Sequence, residues 1–217
     1  ALPLPGPELK KWMEEGLRES RFPEASLRLS IHWGENQNGE IVLIVRSFPA
    51  YSPQKYKEGV AVETAVSRRS TLKAQDPQIK ASQFVSGVLS VLDKGENIPH
   101  EIILLGPSGS VAEGTISNIF IVKKKCLLTP SSASGILRGV TRGVVIDLAK
   151  KKGLEVTQTF LTRHDFYTAD ECFITDTSSE LLPVGEMDGR KIGDGKPGPV
   201  TLGLAADFKK AAHATTT

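Results

Sequence analysis

The chain has little of what marks a secreted, membrane-bound or nucleic-acid-binding protein. It has two cysteines, Cys126 and Cys172, too few for a disulfide framework or a zinc site. No apolar run approaches the ~18 residues that cross a bilayer. Lys plus Arg number 27 against 25 Asp plus Glu, a formal charge of +2. The basic residues are scattered, so neither nucleic acid nor an anionic membrane is expected as a partner. Two basic runs, Lys123-Lys124-Lys125 and Lys150-Lys151-Lys152, read as solvated turn or helix-end charges. What is present is ordinary: 39% hydrophobic and 24% charged residues over 217 positions. That balance excludes wholesale disorder and leaves room for one large domain, or one domain and part of another. The expectation is a soluble, reduced, cytoplasmic protein.

Hydrophobic periodicity gives the coarse organisation. Leu9, Trp12, Met13 and Leu17 fall at helical spacing after Pro7, which predicts a short amphipathic helix. Leu27, Leu29, Ile31 and Trp33 alternate with polar residues, the period-two signature of a half-buried strand, and residues 41–45 read as its return. The proline-rich stretch 48–53 carries no period and reads as a linker. The expected organisation is therefore the remainder of a small N-terminal α+β domain at 1–48, a linker at 49–55 and a large domain at 56–217. Within the large domain, strands are expected at 59–67, 101–105, 118–122, 126–129, 154–160, 171–175 and 181–187. Helices are expected at 80–93, 141–151 (stopped by Gly153) and 200–212. Strands outnumber helices and mix with them, which predicts an α+β fold on a curved, mostly antiparallel sheet or pseudobarrel with flanking helices.

Four stretches could carry chemistry. Lys80 lies between Ile79 and Ala81 at the expected start of an apolar helix. Partial desolvation there would lower its pKa and free the amine for Schiff-base formation, although lysines at helix starts more commonly snorkel to water. Glu113 sits among small residues before an apolar strand, where a carboxylate needs a cationic or donor partner. A structural ion pair is the simpler reading. The run Gly135-Ile136-Leu137-Arg138-Gly139-Val140-Thr141-Arg142 enters a helix whose free N–H groups suit a phosphate, or is merely a helix capped by Thr141. The hydroxyl-rich turn at 175–180 could hold a phosphate or only satisfy its own backbone.

In order and spacing these stretches resemble the class IV aminotransferases, the fold type IV pyridoxal-phosphate enzymes. That group includes branched-chain and D-amino-acid aminotransferases and 4-amino-4-deoxychorismate lyases. The matching segments are Ile79-Lys80, VAEGTISNIFIV (111–122), LLTP (127–130), GILRGVTR (135–142), DFYTADECFITDTSSELLPV (165–184) and DGRKIGDGKPGPVT (188–201). The match covers about residues 55 to 210, and more loosely 8 to 54. The resemblance implies pyridoxal 5′-phosphate as cofactor, bound by Lys80 as a Schiff base and by Glu113, Asn118, Leu137, Val140, Thr141 and Thr177. Lys80 would be the catalytic residue and Glu113 would keep the ring nitrogen protonated. Leu137 would pack on the ring, Asn118 would brace the loop, and Val140, Thr141 and Thr177 would hold the phosphate. No metal is implied.

The resemblance further implies a homodimer acting on an amino acid and a 2-oxo acid, with branched-chain or D-amino acids as substrates. The alternatives are pyruvate elimination by a lyase and a truncated, non-catalytic relic. Residues 81–85 (ASQFV) match neither the Asn-Tyr of the branched-chain enzymes nor the Asn-Arg-Leu-Glu of the lyases, whereas GKPGPVT (195–201) leans toward the former. The family's first ~60 residues, with their phosphate-clamping arginine, have no counterpart here. The expectation is that this chain alone binds the cofactor poorly unless Arg138 or Arg142 substitutes.

Overall fold

The computed structural model describes residues 6–33, 39–48, 51–68, 76–80, 85–96 and 98–214. The chain divides into two compact units, 1–51 and 52–217. In the first, α1 (Gly6–Ser20) carries Glu8 in its first turn and Arg18 in its last, each opposing the helix dipole end it faces. It is followed by the antiparallel pair β1 (Ala25–Trp33) and β2 (Gly39–Ser47), in register from Ala25↔Ser47 to Trp33↔Gly39. Gly16 of α1 approaches Leu43 of β2, where an added Cβ would lie 3.0 Å from the leucine side chain. Helix and ribbon thus pack through a small residue.

The second unit opens with α2 (Pro53–Glu58), which begins within the stretch expected to be a linker and runs past it. Pro53 occupies the first helical turn, where a missing N–H costs nothing, and Ser52 Oγ caps the helix by accepting from Gln54 N–H at 3.3 Å. The Ser-Pro pair therefore starts a helix instead of ending order. There follow β3 (Val60–Arg68), α3 (Val85–Leu92), β4 (Glu101–Leu105), β5 (Val111–Gly114), β6 (Asn118–Lys123), β7 (Cys126–Pro130) and α4 (Val140–Lys151). Then come β8 (Val156–Thr159), α5 (Arg163–Tyr167), β9 (Glu171–Asp176), β10 (Glu180–Met187), β11 (Arg190–Lys191) and α6 (Pro199–Ala214). Helix α3 is described from Val85; residues 81–84, within the helix expected at 80–93, lie outside the described ones.

The strands form one sheet in the order β5-β4-β3-β10-β9-β6-β7-β8, with β11 attached to β10. The pairs β4/β3, β3/β10 and β7/β8 are parallel and the rest antiparallel. This is the expected mixed α+β class, with the sheet curled as a half-barrel. Strand β6 shows how the sheet packs on both of its faces. Its unbroken apolar run fits a strand covered on both faces. Ile119 and Ile121 point into one cluster with Val111, Phe166 and Ile174. Phe120 and Val122 point into the other, under α4 and α6, with Val145, Ile146 and Leu204. Phe120 stacks on its cross-strand partner Phe173 with ring centroids 4.9 Å apart. The β6/β7 hairpin turns on Lys124 and Lys125, both at positive φ (51° and 66°), and Asp170 accepts the Lys124 N–H at 2.7 Å. That basic run is a turn, as expected.

Candidate active site

A cavity of about 440 Å³ opens in the second unit where the ends of β5, β6 and β9 meet the entrance to α4. Lys80, Glu113 and Asn118 line it, together with Leu137, Val140, Thr141 and Thr177. The seven residues picked out in the sequence, drawn from positions 80 to 177, thus share one surface.

Glu113 is the penultimate residue of β5 and is 8% exposed. Its Oε2 accepts from the Leu137 N–H at 2.9 Å and from the Asn118 side-chain amide at 3.1 Å. The same amide donates to the Leu137 carbonyl at 2.9 Å. These two partners are neutral donors, and they fasten it to the loop that carries Leu137. Asn118 Oδ1 lies against Gly139, where any Cβ would run into it. Glycine at 139 is therefore a packing requirement as well as a helix boundary.

Helix α4 begins at Val140 with Gly139 in the N-cap position and no side-chain cap. Thr141 is not the cap. It is a buried first-turn residue, because the glycine that admits Asn118 takes the cap position ahead of it. The helix entrance therefore presents its first N–H groups without a side-chain acceptor, an arrangement suited to an anion.

Lys80 departs from expectation in its surroundings. It is exposed to solvent and follows a turn; the residues after it, 81–84, lie outside the described ones. In that turn Asp76 Oδ1 accepts from Gln78 N–H at 2.9 Å, and the Asp76 carbonyl accepts from Ile79 N–H at 3.1 Å. The Gln78 amide donates to the Ile136 carbonyl at 2.6 Å. The lysine's turn is thereby tied to the same 135–137 loop that Glu113 holds.

Of the two nearby arginines, only Arg138 lines the cavity. Arg142 is 4% exposed and is spent on structure: it donates to the Pro130 carbonyl at 3.0 Å and to Gln158 Oε1 at 2.9 Å. Burial, with Arg138 beside it, lowers its pKa, and Glu113 acts in the opposite sense. In the 175–180 turn, Asp176 Oδ1 accepts from the N–H groups of Ser178 and Ser179 at 2.6 and 2.8 Å, so the turn does satisfy its own backbone. Thr177 is left exposed on the cavity wall.

Sequence reasoning missed Glu101, the residue whose carboxylate holds the turn between Glu113 and Asn118. A charged residue opening the apolar strand EIILL was the available signal. Among the described residues no group of His, Cys, Asp and Glu could hold a metal ion, and no helix is long and apolar enough to cross a membrane.

A half-barrel sheet with an acid, a lysine and an open helix entrance on one cavity agrees with a family match spanning residues 1–187, to the amino-transferase class IV family. The chain belongs to the class IV aminotransferases, enzymes whose cofactor is pyridoxal 5′-phosphate and whose general chemistry is transamination. A branched-chain-amino-acid aminotransferase of Pseudomonas aeruginosa is 30% identical over 229 residues, covering 98% of this chain and 74% of that protein. The T.th. branched-chain amino acid aminotransferase, solved with pyridoxamine 5′-phosphate, superposes with a TM-score of 0.89 at 29% identity, over 96% of this chain and 72% of its own. The same enzyme complexed with N-(5′-phosphopyridoxyl)-L-glutamate gives 0.87 at 28%, over 96% and 71%.

Proposed function

We propose that this chain transfers the amino group of a branched-chain amino acid to a 2-oxo acid, with Lys80 holding pyridoxal phosphate as a Schiff base. The observation that carries this reading is the convergence of Lys80, Glu113, Asn118, Leu137, Val140, Thr141 and Thr177 on one cavity. The donor set fits the cofactor. The carboxylate of Glu113, fixed by Leu137 and Asn118, can face a ring nitrogen. The uncapped entrance of α4, with Thr141 and Thr177, can take a phosphate. Leu137 offers an apolar surface to a ring.

When bound, the cofactor supplies an electron sink that makes the substrate's Cα proton removable. The protein's part is acid–base and positional. Lys80 Nζ would take the Cα proton and give it up at the other end of the amino-group transfer. Glu113 would keep a proton on a ring nitrogen placed beside it. Asn118 holds Glu113 and Leu137 together, which keeps acid and apolar wall in register. The branched-chain assignment is supported by the kinds of enzyme the chain is similar to and by the GKPGPVT segment. Borohydride reduction of the loaded protein should fix the adduct to the peptide containing Lys80, and Lys80→Ala should abolish it. L-leucine, L-isoleucine and L-valine should be better donors than D-alanine. An adduct of full yield in Lys80→Ala, or pyruvate release from aminodeoxychorismate without an acceptor, would overturn the reading.

The same reading includes a homodimer. Helix α3 contains no charged residue, and Val88, Leu89 and Leu92 are 54, 49 and 67% exposed. Burying that face against a second copy would remove a patch that single chains rarely leave in water. Light scattering should give a dimer mass, and Leu92→Glu should shift it toward monomer; an unchanged monomer in both proteins counts against a dimer.

A further inference from the structure

The buried carboxylate of Glu101 has no place among the cofactor contacts above. It is 6% exposed and opens β4. Its Oε1 accepts from the Ile102 N–H at 2.9 Å, the Thr115 N–H at 3.0 Å and the Thr115 hydroxyl at 2.7 Å. Its Oε2 accepts from the Ser117 hydroxyl at 2.8 Å and, more distantly, from the Ile116 N–H at 3.4 Å. Four of the five bonds come from the turn 114–117, and all five donors are neutral. A buried anion is tolerated only when its oxygens are met by hydrogen bonds in this way. The fit is close: an added Cβ on Gly114 would lie 2.7 Å from Oε2.

That turn joins Glu113 to Asn118, and its members line the cavity. It is closed from within by a 2.7 Å bond from Gly114 N–H to the Ser117 carbonyl. The 3.1 Å bond between Asn118 and Glu113 therefore spans the two ends of a loop whose interior is held by one carboxylate.

We propose that Glu101 is a positioning residue of the active site: by clamping the 114–117 turn it sets the placement of Glu113 and Asn118 on the cavity wall. The assignment rests on the functional reading above for its kinetic consequence, but its structural consequence is independent of any cofactor. Glu101→Ala removes the clamp: the Thr115 and Ser117 hydroxyls and the Ile116 N–H lose their acceptor, while the Thr115 N–H keeps its 3.1 Å bond to the Ile102 carbonyl. Glu101→Gln keeps the shape, since its carbonyl oxygen can serve the three Oε1 donors while the Ser117 hydroxyl turns to accept from the amide.

In the cofactor-free protein, the side-chain amide signals of Asn118 should move and exchange faster with solvent in Glu101→Ala and remain near wild type in Glu101→Gln. In the loaded enzyme, at a temperature where every variant is folded, Glu101→Ala should lower kcat by about tenfold or more with KM changed little, because misplacement of a catalytic group affects the barrier more than binding. It should also alter the pH dependence of the cofactor's absorption band, and Glu101→Gln should recover most of the loss. Ser117→Ala, which removes one arm of the clamp, should shift the same readouts in the same direction by a smaller factor and provides the test if Glu101→Ala does not fold. Unmoved Asn118 signals in the folded variants, or wild-type kcat with an unchanged band, would overturn the proposal. A wild-type protein that forms no borohydride adduct at Lys80 would instead overturn the functional reading and leave the Asn118 result to stand alone.

Discussion

The Leu137 N–H donates to the Glu113 carboxylate at 2.9 Å across a loop of intervening strand and turn. A residue read as a ring-packing side chain is thus also the backbone donor that aims the acid. The bond makes the apolar wall and the acid of the cavity one rigid feature, and charge-assisted bonds of this kind hold geometry better than neutral ones.

Glu113→Gln follows from that relationship. The amide oxygen can still accept from Leu137 and Asn118, so the cavity keeps its shape and the cofactor still binds. The negative charge is gone, and with it the group proposed to keep a ring nitrogen protonated. Transfer of the Cα proton should slow by about 100-fold or more, measured by rapid mixing of loaded enzyme with L-leucine. An unchanged rate would move the electrostatic role to another residue.

Glu171 is a second buried acid, with a purely structural task. It is 6% exposed and accepts from the Val200 N–H at 3.0 Å, the Thr201 N–H at 2.7 Å and the Thr201 hydroxyl at 2.7 Å. It thereby satisfies the first turn of α6 from the start of β9. Glu171→Ala should cost about 3 kcal/mol, by leaving buried donors unmet and removing a charge-assisted cap. For a protein of this size that is a fall of roughly 6–12 °C in melting temperature. Calorimetry showing a loss under about 2 °C would mean that the helix start finds other acceptors.

The two cysteines should differ sharply. Cys172 is 3% exposed, and burial alone pushes its thiol far above the ordinary range. Cys126 is half-buried at the start of β7, its Sγ 3.8 Å from the Thr157 hydroxyl. An aromatic disulfide reagent at about pH 8 should titrate one thiol in the native protein and two in denaturant. Two fast-reacting thiols in the native state would show that the β6/β9 region opens readily.

Much of the architecture could be read from short windows. The alternation in 27–33 and the Gly153 stop are local consequences of side-chain period and backbone freedom, so β1 and the end of α4 fell where expected. The windows failed where one residue type serves two purposes. Ser52-Pro53 reads as a break but starts α2, since proline is harmless in a first helical turn. Thr141 reads as a cap, yet Gly139 holds that position because Asn118 leaves no room there for a side chain.

By itself the sequence determined which residues could do chemistry: Lys80, the acid at 113, the glycine-bracketed helix entrance and the threonines of the 175–180 turn are all visible in one dimension. Only the tertiary structure decided how they are held. The bonds from Leu137 and Asn118 to Glu113, from Gln78 to the Ile136 carbonyl, and from the 115–117 donors to Glu101 join segments 5 to 58 residues apart. Such pairings leave no local period to read. They form only when the curled sheet brings strand ends together, and a buried carboxylate shows its purpose only once its donors have closed around it.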